Sequence, residues 1–444
     1  MSTTTWLPDL IYVNGRFESN RALVCDSGKI LKISNDNEGI RLKNRALLPG
    51  MVNAHSHAFQ RVIRGRTEHR SHHTTDSFWT WREQMYAAAN RLGPEEIYNA
   101  SRLAFLEMAL TGITAVGEFH YIHHAPDGST YDDPNLLARE VIRAAHDVGI
   151  RIALLRVAYA RSGFGLDANP QQIRFIEQSP DTYLKHFEQL LDAPELKSDM
   201  AWAGIAPHSV RAVPLDYLKT IISFANERDL PVHMHVAEQP AEVSACIEEY
   251  GRSPVALLDT EGLLNKRFTA VHAIHVTPKA IASMAHAGAI VCACPTTERN
   301  LGDGVVPVDA YFDAGVRVSL GSDSQIQIDL LEDARELEYH LRLQKTARNV
   351  LAPMDDDSSS ALARRLFECA TVRGAESIGF DGGKLEPGAP ADFFTVDLDD
   401  LSIAGCAVED LLANIVFSLA RTAIRDVIVG GKQIVNNGKH GLDG

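Results

Sequence analysis

Cysteine is scarce in this chain: six in 444 residues, at Cys25, Cys246, Cys292, Cys294, Cys369 and Cys406, with no CxxC spacing. That excludes a disulfide scaffold and a zinc ribbon, and leaves reduced, mostly buried thiols as the expectation. Long apolar runs are missing as well, since no segment approaches the roughly 20 consecutive apolar residues that span a bilayer. The stretch MSTTTWLPDLIYVNGRF has no basic region followed by an apolar one, so the expectation is a cytoplasmic protein with no membrane partner. Positive charge is in deficit, with 43 Lys and Arg against 58 Asp and Glu and a net charge of −15. Nucleic acid and acidic membranes both attract the opposite sign, so neither is an expected partner. Low-complexity tracts are absent too, and 45 % hydrophobic with 23 % charged residues describes a globular protein.

Residues 8 to 46 read as short strands with polar turns, among them the hairpin signal Asn14-Gly15 in LIYVNGRF. From residue 49 the pattern changes to short apolar strands alternating with amphipathic helices. The strands are MVNAHSH, TAVGEFHY, RIALLRVAY, MAWAGIAPH, LPVHMHVAE, FTAVHAIH, AIVCACP and VRVSLGSD. Eight βα units predict an α/β protein of the (β/α)8 barrel type, with its chemistry at the C-terminal ends of the strands. Helices are expected over 330–349 and 361–378, after which β-like text returns, with Gly430-Gly431 turning a hairpin. The expected organisation is a barrel over 49–378 and a small β-sandwich domain built jointly by 1–48 and 379–444.

At the first strand, His55 and His57 are two residues apart, so a strand presents both imidazoles on one face. At the fifth, His233 and His235 repeat the spacing and Glu238 follows. The sixth offers His272 and His275, and the eighth ends in GSDS with Asp323 at its rim. Three histidines and an aspartate suit one divalent, zinc-like ion with a position left for water. Glu238 is then placed to move protons, and His272 to orient or polarise an electrophile.

Around the predicted mouth lie Gln60, Arg82, Tyr121, His208 and Arg211, each in a segment that ends or follows a strand. Guanidinium groups bind carboxylates through paired hydrogen bonds, so two arginines in an acidic protein point to a small dicarboxylate substrate. Arg61, Arg64 and Arg66 are read as surface ion pairs. His69, His72 and His73 are read as loop residues in a polar insert, and His120, His123, His124 and His275 as second-layer or solvent-facing.

PGMVNAHSHAF, HMHVAEQ, VHAIH, GSDS and LEPGAPADFFTVD together resemble the amidohydrolase superfamily over nearly the whole chain. The resemblance implies a barrel with a β-sandwich, His55, His57, His235 and Asp323 as metal ligands, and Glu238 and His272 as catalytic residues, with Asp323 sharing in proton transfer. His233 is then left to support or packing. Strand four, AGIAPHSVRAV, lacks the lysine that bridges two metals in some members, so one metal is implied. The pattern is similar to the deaminase branch, which implies hydrolysis of a carbon–nitrogen bond with loss of ammonia by a homodimer. The alternative within that branch is a deaminase of a guanidine or heteroaromatic amine.

Overall fold

The structure, a computed structural model, describes residues 3–70, 76–166 and 169–442. Eight parallel strands form its central sheet: β1 (Met51–Ser56), β2 (Ile113–His120), β3 (Arg151–Ala158), β4 (Ala201–Pro207), β5 (Val232–Val236), β6 (Phe268–His272), β7 (Ile290–Ala293) and β8 (Arg317–Leu320). Each strand pairs with the next in sequence, as βα units require. The strands are apolar and buried on both faces, covered by helices outside and by each other's side chains within. The expected eight strands are all present.

The ring closes between β8 and β1. His57 N–H donates to the Asp323 carbonyl and Asp323 N–H to the His55 carbonyl, both at 3.0 Å. Gly321 makes that approach possible, since a Cβ there would stand 2.8 Å from the His55 backbone oxygen. A buried chain of hydrogen bonds backs the seam: Ser322 N–H to Asn53 Oδ1 (3.0 Å), Gln325 Nε2 to Ser56 Oγ (2.8 Å) and Ser56 Oγ to Glu118 (2.5 Å).

Helices at Pro94, Pro180, Pro240, Pro254, Pro278 and Pro295 open on proline, whose fixed φ and missing N–H suit a first turn. The expected helix over 361–378 is divided into Ala361–Ala370 and Val372–Ser377. Thr371 leaves the helical region at φ −127° and ψ −98°, and its hydroxyl caps the Phe367 carbonyl at 2.7 Å. The break lets Gly374 pack on β1, where a Cβ would lie 2.4 Å from the Val52 oxygen. No helix among the described residues is long and apolar enough to cross a membrane.

The chain ends meet in one nine-stranded mixed sheet, in which Ile40–Pro49 pairs antiparallel with Phe393–Asp397. Asn14-Gly15 and Gly430-Gly431 both turn hairpins with positive φ, as their sequences require. The sheet curls over a core that includes Trp6, Leu23, Ile30, Phe393 and Ile428, and Ile30 N–H reaches the Ala389 carbonyl at 2.8 Å. It is fastened to the N-terminal end of the barrel by a buried ion pair, Arg151 Nε to Asp392 Oδ2 at 2.7 Å. The opposite end is left open for chemistry.

Candidate active site

At the C-terminal mouth, His55 Nε2 lies 3.2 Å from both His57 Nε2 and His235 Nε2. Asp323 Oδ1 stands 3.2 Å from His57 Nε2 and 3.7 Å from His55 Nε2. The four donor atoms all fall within 4.8 Å of one another, on buried residues. The Phe119 carbonyl accepts from His57 Nδ1 (3.0 Å) and the His208 carbonyl from His235 Nδ1 (3.2 Å). Those acceptors assign the protons to Nδ1 and leave both Nε2 atoms as bare lone pairs. Lone pairs this close in a buried space call for a positive charge between them. A proton is a poor candidate, because burial and the surrounding imidazoles depress the pKa values of His55 and His235 well below the ordinary range. Burial raises the Asp323 pKa, but the adjoining His57 imidazole and the charge of His272 outweigh that and hold it low. Three neutral imidazoles and one carboxylate are a donor set for a divalent metal.

Glu238 follows β5 after Ala237, whose left-handed φ of 52° turns the chain back over the mouth. Its side chain is 14 % exposed, with Oε1 3.8 Å from His272 Nε2. Burial raises its pKa against the pull of His272. His272 closes β6 at φ 68° and Asp323 follows β8 at φ 48°, both unusual for non-glycine residues and both held by surrounding packing. Burial disfavours charge on His272, but Glu238, Glu298 and Asp323 override it and keep its pKa well above that of free imidazole.

Lining one cavity with this cluster are Gln60, Arg82, Tyr121, His208 and Arg211. Gln60 Nε2 donates to the Tyr121 hydroxyl at 3.0 Å, while its carbonyl oxygen is buried without a partner. Arg82 stacks on Trp79 with its Cζ 4.5 Å from the ring centroid, and its Nε and Nη1 have no hydrogen-bond partner. Arg211 Nη1 donates to the Ser162 carbonyl at 3.3 Å. No lysine lines this cavity among the described residues.

The structure thus brings together every residue read from the sequence as ligand, proton carrier or substrate contact. It sets the remaining histidines apart. His233 Nε2 bonds the Ser377 carbonyl at 2.8 Å, a packing position, and His275, three residues beyond β6, bonds the Asp303 carbonyl at 2.8 Å. His120, His123 and His124 are buried rather than solvent-facing: His123 holds the Val157 carbonyl and His124 the Ile176 carbonyl. His69 is exposed in a loop, and His72 and His73 lie outside the described residues. Arg61 and Arg64 share Glu107 at 2.6 and 2.8 Å, partly buried rather than on the open surface.

Sequence reading missed three contributors. Glu298, on the helix after β7, accepts from His272 Nδ1 at 3.1 Å and from Cys294 N–H at 2.9 Å. Tyr86 lies one helical turn beyond Arg82 on the same face of the helix Phe78–Ala89, a spacing that could have flagged it. Tyr159 follows the end of β3, as other site residues follow their strands.

A barrel with three histidines and an aspartate gathered at its strand ends defines a metal-dependent hydrolase architecture. The sequence family described as the amidohydrolase family matches residues 46–434, and the chain belongs to it. The chain is 39 % identical to formimidoylglutamate deiminase of Pseudomonas aeruginosa over 404 residues, 91 % of this chain and 87 % of that protein. It is 28 % identical to the 5-methylthioadenosine/S-adenosylhomocysteine deaminase of Natronomonas pharaonis over 422 residues, 93 % and 87 % of the two chains. The crystal structure of an amidohydrolase from Brucella melitensis superposes with a TM-score of 0.90 at 35 % identity, covering 99 % of this chain and 96 % of that one. A zinc-containing adenosine deaminase from Xanthomonas campestris shares the fold, with a TM-score of 0.79 at 23 % identity, covering 99 % and 94 %.

Proposed function

We propose that this protein hydrolyses N-formimino-L-glutamate to N-formyl-L-glutamate and ammonia, a step of histidine degradation. The observation that carries the reading is Arg82, a guanidinium with two unpartnered nitrogens, lining one cavity with Arg211 and the histidine–aspartate cluster. Unpaired buried guanidinium groups call for anions, and a substrate with two carboxylates and an amidine carbon satisfies both the arginines and the cluster. The likeness to formimidoylglutamate deiminase supports the same substrate. An adenine-type amine, the alternative read from the sequence, would leave the unpartnered nitrogens of Arg82 without an anion.

His55, His57, His235 and Asp323 would hold the ion, and their nitrogen-rich set favours zinc. When bound, such an ion lowers the pKa of water toward about 7 and so supplies a nucleophile at neutral pH. Arg82, Arg211, Gln60 and Tyr121 bind the glutamate part and set the formimino carbon over the cluster, a positioning effect that lowers the barrier. His208 lies beside the formimino group. Asp323 or Glu238 takes the proton of the attacking water, and His272 Nε2 faces the developing tetrahedral centre. The water's proton, taken by Glu238 directly or by way of Asp323, passes from Glu238 to the terminal nitrogen, and ammonia leaves with the proton that the tetrahedral hydroxyl gives up as the carbonyl forms.

Ammonia release from N-formimino-L-glutamate by zinc-loaded protein tests the reading, run beside N-formimino-L-aspartate, guanine and adenosine with a chelated control. Metal-dependent turnover of the glutamate compound is expected. Turnover of an aromatic amine in its place would discard the substrate.

A further inference from the structure

The short helix Pro170–Phe175, between β3 and β4, contributes nothing to the cavity wall, yet it is tied to the residues that do. Arg174 is fully buried and donates to the carbonyls of Ala89, of Leu92 (3.0 Å) and of His124 (3.1 Å). The first two lie at the C-terminal end of the helix that carries Arg82 and Tyr86, where exposed carbonyls need donors. Phe175 packs against the rings of Tyr86, Tyr121 and Tyr159. Gln172, buried behind the wall, places its Nε2 2.7 Å from both the Tyr86 and the Tyr159 hydroxyl oxygens, which are 3.4 Å from each other.

The hydrogen count gives this arrangement a direction. An amide nitrogen has two hydrogens and accepts none, so each phenol oxygen is an acceptor toward Gln172. Gln172 therefore takes no phenol proton; one hydroxyl can give its proton to the other across 3.4 Å, and at least one is left to donate elsewhere. Both tyrosines line the cavity together with Arg211. Arg82 lies over Tyr86, its Cζ 5.5 Å from the ring centroid, with Nε and Nη1 unpartnered. A phenol pair whose oxygens accept from Gln172, with a proton left to donate beside the unpartnered Arg82 nitrogens, forms a receptor for a carboxylate, one that a neutral amide would satisfy poorly.

We infer that Tyr86 and Tyr159 donate to one carboxylate of the substrate, and that Gln172 is the positioning residue that fixes their hydrogen-bond direction. The inference rests on the deiminase reading for the substrate's identity, but a carboxylate receptor can be assayed without turnover. Glutarate serves as the dianionic probe and its mono-amide, glutaramate, as the comparison. Binding of both to zinc-loaded protein is measured by calorimetry for the wild type, Tyr159→Phe, Tyr86→Phe and Gln172→Leu.

Each phenylalanine variant is expected to weaken glutarate at least fivefold and glutaramate less, so that discrimination between the two shrinks. Gln172→Leu is expected to shrink the same discrimination about threefold, although it removes no cavity contact. Unchanged binding in the phenylalanine variants overturns the inference. Tighter glutarate binding in Gln172→Leu also overturns it, because then the amide carbonyl had been holding the phenol protons. Should Gln172→Leu fail to fold, the phenylalanine variants decide. If the wild type fails to release ammonia from N-formimino-L-glutamate yet discriminates glutarate from glutaramate through these hydroxyls, the function falls and the receptor stands.

Discussion

Glu298 holds His272 by its Nδ1 at 3.1 Å, so the opposite ring nitrogen faces Asp323 Oδ2 at 3.6 Å and Glu238 Oε1 at 3.8 Å. A buried carboxylate behind the ring both fixes its rotation and favours its protonated form. Glu298→Gln keeps an oxygen acceptor for Nδ1–H and removes only the charge; Glu298→Ala removes both. We expect kcat to fall about tenfold in the first and about 100-fold in the second, with KM little changed. Steady-state kinetics with N-formimino-L-glutamate checks this, and a change confined to KM would refute it.

Glu238 is not among the four clustered donors. Glu238→Gln should therefore retain bound metal, read by elemental analysis, and lose about 10²- to 10⁴-fold in kcat, the range for removal of a general acid–base. A near-normal rate would remove it from proton transfer.

Arg82 and Arg211 face the cavity without belonging to the donor cluster of three histidines and an aspartate. Hydrogen bonds to a charged group are worth about 1.5–3 kcal/mol. Arg82→Met or Arg211→Met should thus lower kcat/KM about 10- to 150-fold, chiefly through KM. An unchanged kcat/KM would exclude the residue from substrate capture.

Arg151 and Asp392 are each 1 % exposed and paired at 2.7 Å, and Gly430 N–H also donates to Asp392 at 2.7 Å. Arg151→Met leaves a buried carboxylate without its counter-ion, which typically costs about 3–5 kcal/mol. The urea midpoint should fall accordingly, while activity of the folded fraction holds, since the pair lies at the end of the barrel remote from the chemistry. Replacing both residues with apolar ones should recover most of the loss.

Burial lifts the pKa of Glu242 to about 7, with Arg211 opposing. Its unfolded value is near 4.3. Between those values the native state holds a proton that the unfolded chain has released, so the group stabilises the fold below about pH 4 and that contribution is lost as pH rises through about 7. The full difference is about 4 kcal/mol. Glu242→Gln does not titrate, so its stability relative to wild type should rise between pH 5 and 8; a constant difference in urea midpoints would refute the shift.

Most of the site was legible because a barrel strand converts position in sequence to position in space. His55, His57, His235, His272 and Asp323 lie at or just beyond strand ends, and strand ends share one rim. The helix carrying Arg82 was not recognised as one, because its sequence FWTWREQMYAAA has aromatic residues where an apolar stripe would be sought. Glu298 and Gln172 were invisible for another reason. Their partners, His272 and the phenols of Tyr86 and Tyr159, are chosen by how a helix after β7 and a short helix after β3 fold back, and no local spacing encodes that. Thr371 escaped likewise: its break serves the contact of Gly374 with β1.

The seam between β8 and β1 joins residues as distant as Asn53 and Ser322, 269 positions apart. His55 and His57 come from one side of it and Asp323 from the other. During synthesis, an emerging chain therefore carries no assembled donor set until all eight strands have left the ribosome. Truncated or stalled chains lack the fourth donor. An ion held by both sides of the seam would latch the ring, adding stability that grows with the free ion concentration.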